Sequence, residues 1–109
     1  MASRTADVLD ERARKNALAR LRGWKYDEKL AAFTKEYKFV DFVAAMSFMS
    51  RCAFEIEKMN HHPAWTNVYN RVLVRLTSHD AKGVTIRDTN LAKIMDSLAI
   101  TPLGKFSKK

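Results

Sequence analysis

The 109-residue chain has one cysteine, two prolines and three glycines, and these scarcities narrow its class. The lone thiol, Cys52, has no partner for an internal disulfide, so a disulfide-framed secreted fold is excluded. It falls within a helical apolar pattern without a neighbouring base, which fits a buried, reduced thiol better than a nucleophile. There is no internal repeat and no low-complexity segment. No apolar run approaches the roughly 18 residues of a membrane span, so a soluble protein is expected. Acidic Asp7, Asp10 and Glu11 among the N-terminal arginines argue against a transit peptide, and no secretory signal precedes them. A cytoplasmic protein is expected, with the nucleus also compatible. Zinc-finger spacing, an RNA-recognition signature and a basic-aromatic stripe are all missing. The net charge of +8 is therefore read as a solvated basic surface, without direct nucleic-acid binding.

What is present is ordinary globular material, 47% hydrophobic and 29% charged. The length supports one domain over 1–109, with frayed ends at 1–4 and 103–109. From Thr5 to Leu21, apolar residues recur at three- and four-residue steps, predicting an amphipathic helix that Gly23 is placed to end. Trp24–Tyr26 and Leu30–Phe39, separated by polar Asp27-Glu28-Lys29, read as two short strands around a turn. Asp41 is a natural N-cap for a helix whose stripe is Phe42, Ala45, Met46, Met49, Ala53 and Ile56. Val43, Phe48 and Cys52 widen that stripe, so the helix is expected either to pack on another subunit or to lie deeper in its own core. Thr85-Ile86-Arg87-Asp88 has the form of a capping box opening a last helix with Leu91, Ile94, Met95 and Leu98 on one side. Pro102 is expected to close it.

The informative stretch runs from Glu57 to Asn70. Two of the three histidines, His61 and His62, stand together where a helix must stop, because Pro63 disfavours helical geometry at His62. Glu57 lies four residues before His61, on the same helical face if the helix persists. The negative end of a helix beside a carboxylate favours a protonated imidazole, able to donate a proton near neutral pH. Asn67–Thr77 reads either as one long strand or as two strands turning at Tyr69-Asn70-Arg71. Only the hairpin brings the third histidine, His79, back to His61, and with Asn70 as pivot the two are expected to face each other.

Competing readings of the cluster are loop histidines without a role, a zinc site of His61, His79 and Glu57, and a Ser78 nucleophile beside His79. The metal reading lacks the usual i, i+4 histidine pair. Ser78 and His79, as strand neighbours, point to opposite faces.

The spacing Glu57, His61-His62-Pro63, Tyr69, His79, Asp88 resembles the signature of the pterin-4a-carbinolamine dehydratases. Phe39-Val40-Asp41-Phe42, Ala45–Met49, Asn67–Asn70 and Leu91-Ala92 are similar to that family as well, and the resemblance spans about Trp24 to Ala99. It implies an α+β fold, α-β-β-α-β-β-α, with three helices on one face of a four-stranded antiparallel sheet. It also implies a homo-oligomer, tetramer or dimer, and a pterin substrate, 4a-hydroxytetrahydrobiopterin, dehydrated to quinonoid dihydropterin in tetrahydrobiopterin recycling. No metal or organic cofactor is implied. His61 and His79 would exchange protons with the substrate, with Glu57 orienting or charging a histidine. His62, Pro63, Trp65 and Asp88 would serve binding, although a cap for the last helix is an equally ready role for Asp88. Ala64 stands where glutamate is usual and Asn60 where aspartate or asparagine is. The alternative function is non-enzymatic: animal members of the family also act as a dimerisation cofactor for a transcription factor, through a helical surface.

Overall fold

A computed structural model describes residues 7–99, and the expectations for Met1–Ala6, Pro102 and the basic tail lie outside it. The described chain runs α1 (Glu11–Leu18), β1 (Lys25–Asp27), β2 (Ala32–Lys38), α2 (Phe42–Met59), β3 (Ala64–Val68), β4 (Arg71–Leu76) and α3 (Ile86–Ala99). The strands form one antiparallel sheet in the order β1-β2-β4-β3. This is the α+β architecture that the resemblance implies. None of the described helices is long and apolar enough to cross a membrane.

Alternation along the strands divides the sheet into two faces. Val72, Val74 and Leu76 of β4 are buried, and their partners Tyr37 and Phe33 on β2 are buried with them. Their neighbours Arg71, Leu73 and Arg75 point to the open side. The core lies on the helix-covered face, where Phe48 of α2 stacks near Tyr37 and Phe39 at centroid distances of 4.7 and 5.0 Å. Burying side chains of this size contributes about 2 kcal/mol each, so this cluster dominates the packing of α2 on the sheet.

Asp41 caps α2, its carboxylate accepting from the Ala44 N–H at 2.8 Å. The buried stripe of the helix is Ala45, Phe48, Cys52 and Ile56 with Ala44 beside it. The expected stripe is thus rotated: Phe42, Met46 and Ala53 face outward, together with Val43 and Phe54. Phe48 and Cys52, read from sequence as a widening of the stripe, are its centre. At the other end Asn60 takes the left-handed conformation (φ 51°) and stops the helix where Pro63 requires.

Helix α1 is shorter than its apolar period suggests. It starts at Glu11, with the Asp10 carboxylate accepting from the Ala13 N–H, because Val8 and Leu9 serve another contact. The Leu9 N–H donates to the Val84 carbonyl, and Val8 packs over Gly83, where a Cβ would meet its Cγ1 at 2.9 Å. The helix ends at Leu18, five residues before Gly23, and turns occupy the interval. Further along α3, Asp96 accepts from Trp24 Nε1, Lys35 Nζ and the Tyr37 hydroxyl. Burial and this carboxylate push the Tyr37 phenol far above its ordinary range.

Cys52 is fully buried, and burial raises its thiol to about 12. Folded protein at pH 8 is therefore expected to react with an aromatic disulfide reagent at least about 100-fold more slowly than urea-unfolded protein, measured by release of the coloured thiolate.

Candidate active site

The β3–β4 hairpin sets the site. Its turn is Tyr69-Asn70, and the left-handed residue is Tyr69 (φ 51°) rather than Asn70, the expected pivot. Asn67 Nδ2 donates to the carbonyls of Tyr69 and Arg71, which holds that conformation in place. Asn70 instead ties the hairpin to the end of β2, its Nδ2 donating to the Phe39 carbonyl at 2.8 Å.

Every β3–β4 pair, from Val68↔Arg71 to Ala64↔Arg75, has residue numbers summing to 139. A pivot at Asn70 would require 140. One unit suffices to exchange the faces. Extended beyond Ala64, the observed register sets His61 with Ser78 on the helix side and His62 with Thr77 on the open side, where alternation also places His79. The expectation that His61 faces His79 is corrected by this one-residue offset.

His61 is nearly buried and its Nε2 lies 2.6 Å from Asp88 Oδ1. Asp88 has no exposed surface, and its other oxygen accepts from Ser78 Oγ at 2.8 Å and from the Thr85 N–H at 2.9 Å. Thr85 Oγ1 lies 2.8 Å from Ser78 Oγ and accepts from the Arg87 N–H. With Asp88 ionised, the hydrogens arrange consistently: Thr85 donates to Ser78, Ser78 to Asp88, and His61 Nε2–H to Asp88. Nδ1 is then the one ring nitrogen of His61 left for exchange. The capping box is real, since Asp88 accepts from the N-cap N–H of α3, and the same carboxylate orients a histidine.

Glu57 lies against His62, not His61: Oε1 is 3.1 Å from His62 Nε2, and both side chains are exposed. Because α2 stops at Met59 and Asn60 turns left-handed, His61 leaves the face that the i, i+4 spacing assumed. His62 and His79 line one cavity of about 180 Å³ with Leu30, Ala64, Arg75 and Thr77. Trp65 is paired with Val74 on the helix side and packs on the core, away from this cavity. Pro63, between His62 and Ala64, is half-buried and is not among the residues that line the cavity. Among the described residues no three His, Cys, Asp or Glu side chains converge as a metal-ligating group.

The loop carrying His79 is pinned at both ends. Ser78 and Gly83 exchange backbone hydrogen bonds, and Arg87 Nη2 donates to Asp80 Oδ1 at 2.8 Å, holding that carboxyl below its usual range. Sequence reasoning found the Thr85–Asp88 pairing as a capping box but missed Ser78 as a partner of Asp88, and Arg75 and Thr77 as cavity walls. The signal was available in the parity of 62, 75, 77 and 79 once the turn is centred between 69 and 70.

An α+β sheet with a buried Asp–His pair backing an open two-histidine cavity suits proton transfer on a small planar ligand. The model of the pterin 4 alpha carbinolamine dehydratase family matches residues 7–98. A relative from Afipia carboxidovorans, provisionally named a pterin-4-alpha-carbinolamine dehydratase, is 46% identical over 85% of this chain and 93% of its own. One of the same provisional name from Sinorhizobium fredii is 47% identical over 85% and 89%. A crystal structure described as a transcriptional coactivator/pterin dehydratase from Brucella melitensis superposes with a TM-score of 0.83 at 41% identity, covering 85% of this chain and 99% of that one. The chain belongs to the pterin-4a-carbinolamine dehydratase family, and it is an enzyme of that type.

Proposed function

We propose that the enzyme dehydrates 4a-hydroxytetrahydrobiopterin by histidine acid/base catalysis and so returns the pterin for reduction to tetrahydrobiopterin. The observation that carries this is the shared cavity of His62 and His79, with His61 locked behind it by Asp88. In the reaction a base takes the N5 proton, the N5 electrons form the C4a=N5 bond, and the C4a–O bond breaks as the departing hydroxyl takes a proton and leaves as water. His79 carries one transfer from its wall of the cavity. The other falls to His62, which lines the same cavity with Glu57 behind it, while His61, held by Asp88 on the helix side, positions its neighbour. Pro63 fixes the backbone between these two histidines and β3.

Stopped-flow mixing of the freshly generated carbinolamine with the protein tests the reading. Acceleration of the absorbance decay well above the buffer rate is expected; decay at the buffer rate would refute it.

The outward apolar face of α2, with Phe42, Val43, Met46 and Phe54 exposed, supports a homo-oligomer, dimer or tetramer, seated on this helix. Phe54→Glu is expected to lower the sedimenting mass at micromolar concentration. An unchanged mass would place any interface elsewhere.

A further inference from the structure

The open face of the sheet carries a groove of about 600 Å³ that shares Leu30, Ala64 and Arg75 with the histidine cavity, so the two are continuous. One rung of the sheet crosses it: Lys25 pairs with Thr34, Thr34 with Arg75, and Arg75 with Ala64, all on the open side. That rung lies two residues, or about 7 Å, from the level of His62 and Thr77. Lys25 and Arg75 are two strand spacings apart, about 10 Å.

The charges on this rung are unbalanced. Glu36, the acidic side chain in the groove wall, is engaged by Arg71 at 3.4 Å. Lys35 turns to the helix side and pairs with Asp96 at 2.9 Å. Among the described residues neither Arg75 nor Lys25 has a carboxylate within 4.0 Å. Ala64, opposite Arg75, leaves the guanidinium room to turn into the groove.

We infer that this groove is a subsite for an anionic substituent on the pterin ring, with Arg75 as its principal contact and Lys25 as a second cation. The inference rests on the dehydratase reading, since it needs the ring in the histidine cavity. A ring held there directs its C6 substituent along the open face, and a reach of about 7 Å is spanned by a phosphate ester on a three-carbon chain or by a longer carboxylate-bearing arm. Arg offers both acids a bidentate donor pair, and a short neutral hydroxyalkyl chain gains nothing comparable.

The test compares kcat/KM for three carbinolamines by stopped flow: one with a neutral dihydroxypropyl substituent, one with its phosphate ester, and one with a glutamate-terminated arm. At low ionic strength at least one anionic substrate is expected to exceed the neutral one by about tenfold, and the better of the two identifies the acid. The ratio is expected to fall to about one in Arg75→Gln. It should fall likewise in Ala64→Glu, which sets a carboxylate opposite Arg75 without removing it. Equal acceleration of all three by the unaltered enzyme would overturn the subsite and leave the dehydratase intact. A preference that survives both substitutions would overturn the assignment to Arg75. Acceleration of none would refute the dehydratase reading itself, and the subsite with it.

Discussion

Replacing Asp88 with alanine is expected to destabilise the fold by about 3 kcal/mol and to remove most of the activity. The carboxylate accepts three hydrogen bonds inside the protein, from His61, Ser78 and the Thr85 N–H, with no exposed surface of its own. Each donor left unpaired costs about 1–3 kcal/mol, partly relieved if water enters the space. In a domain of this size the loss corresponds to roughly 10–20 °C in Tm, readable by thermal circular dichroism. Asp88→Asn separates structure from function. The amide keeps the shape but must turn its NH2 group towards one of the donors, either reversing the His61 tautomer or opposing Ser78 and Thr85. A positioning role predicts that kcat falls by about tenfold or more in Asp88→Asn while KM holds, with a displaced pH profile. A purely structural role predicts a lower Tm and unchanged kinetics per folded molecule.

His79→Gln is expected to slow dehydration by roughly 100-fold, the usual worth of one general acid or base. Its stability should change by less than about 0.5 kcal/mol, because the side chain is exposed. The loop holding it is fixed by Ser78–Gly83 and by Arg87–Asp80, none of which uses the imidazole. The combined His62→Gln, His79→Gln protein should lose less than the product of the single losses, since groups acting in one step are not independent. Stopped-flow decay with each variant at matched folded concentration measures this, and a fully active His79→Gln enzyme would remove the residue from the mechanism.

The elements were legible because their local chemistry is strong. Asp41 and Thr85 open helices as their cap signals suggest, Asn60 and Pro63 stop one, and Asn67 and Asn70 make the hairpin hold. Less legible was anything set by tertiary contact. The Val8–Gly83 packing shortens α1, and the aromatic surface of Tyr37 and Phe39 selects Phe48 rather than Phe42 for burial. Within the site the residue types were visible but their pairing was not. A turn pivot misplaced by half a residue exchanges His61 for His62 at the cavity, and with it the partner of Glu57. Asp88 was readable as a cap from local spacing, whereas its bond to His61, 27 residues away, depends on how α3 docks against the hairpin.

The central claim is that the pterin ring sits in the cavity between His62 and His79, and histidine NMR tests it most directly. With ring-labelled histidine, titration of the stable analogue 7,8-dihydrobiopterin is expected to shift the resonances of His62 and His79 saturably and with one common affinity. Saturable binding that leaves both resonances in place would contradict it.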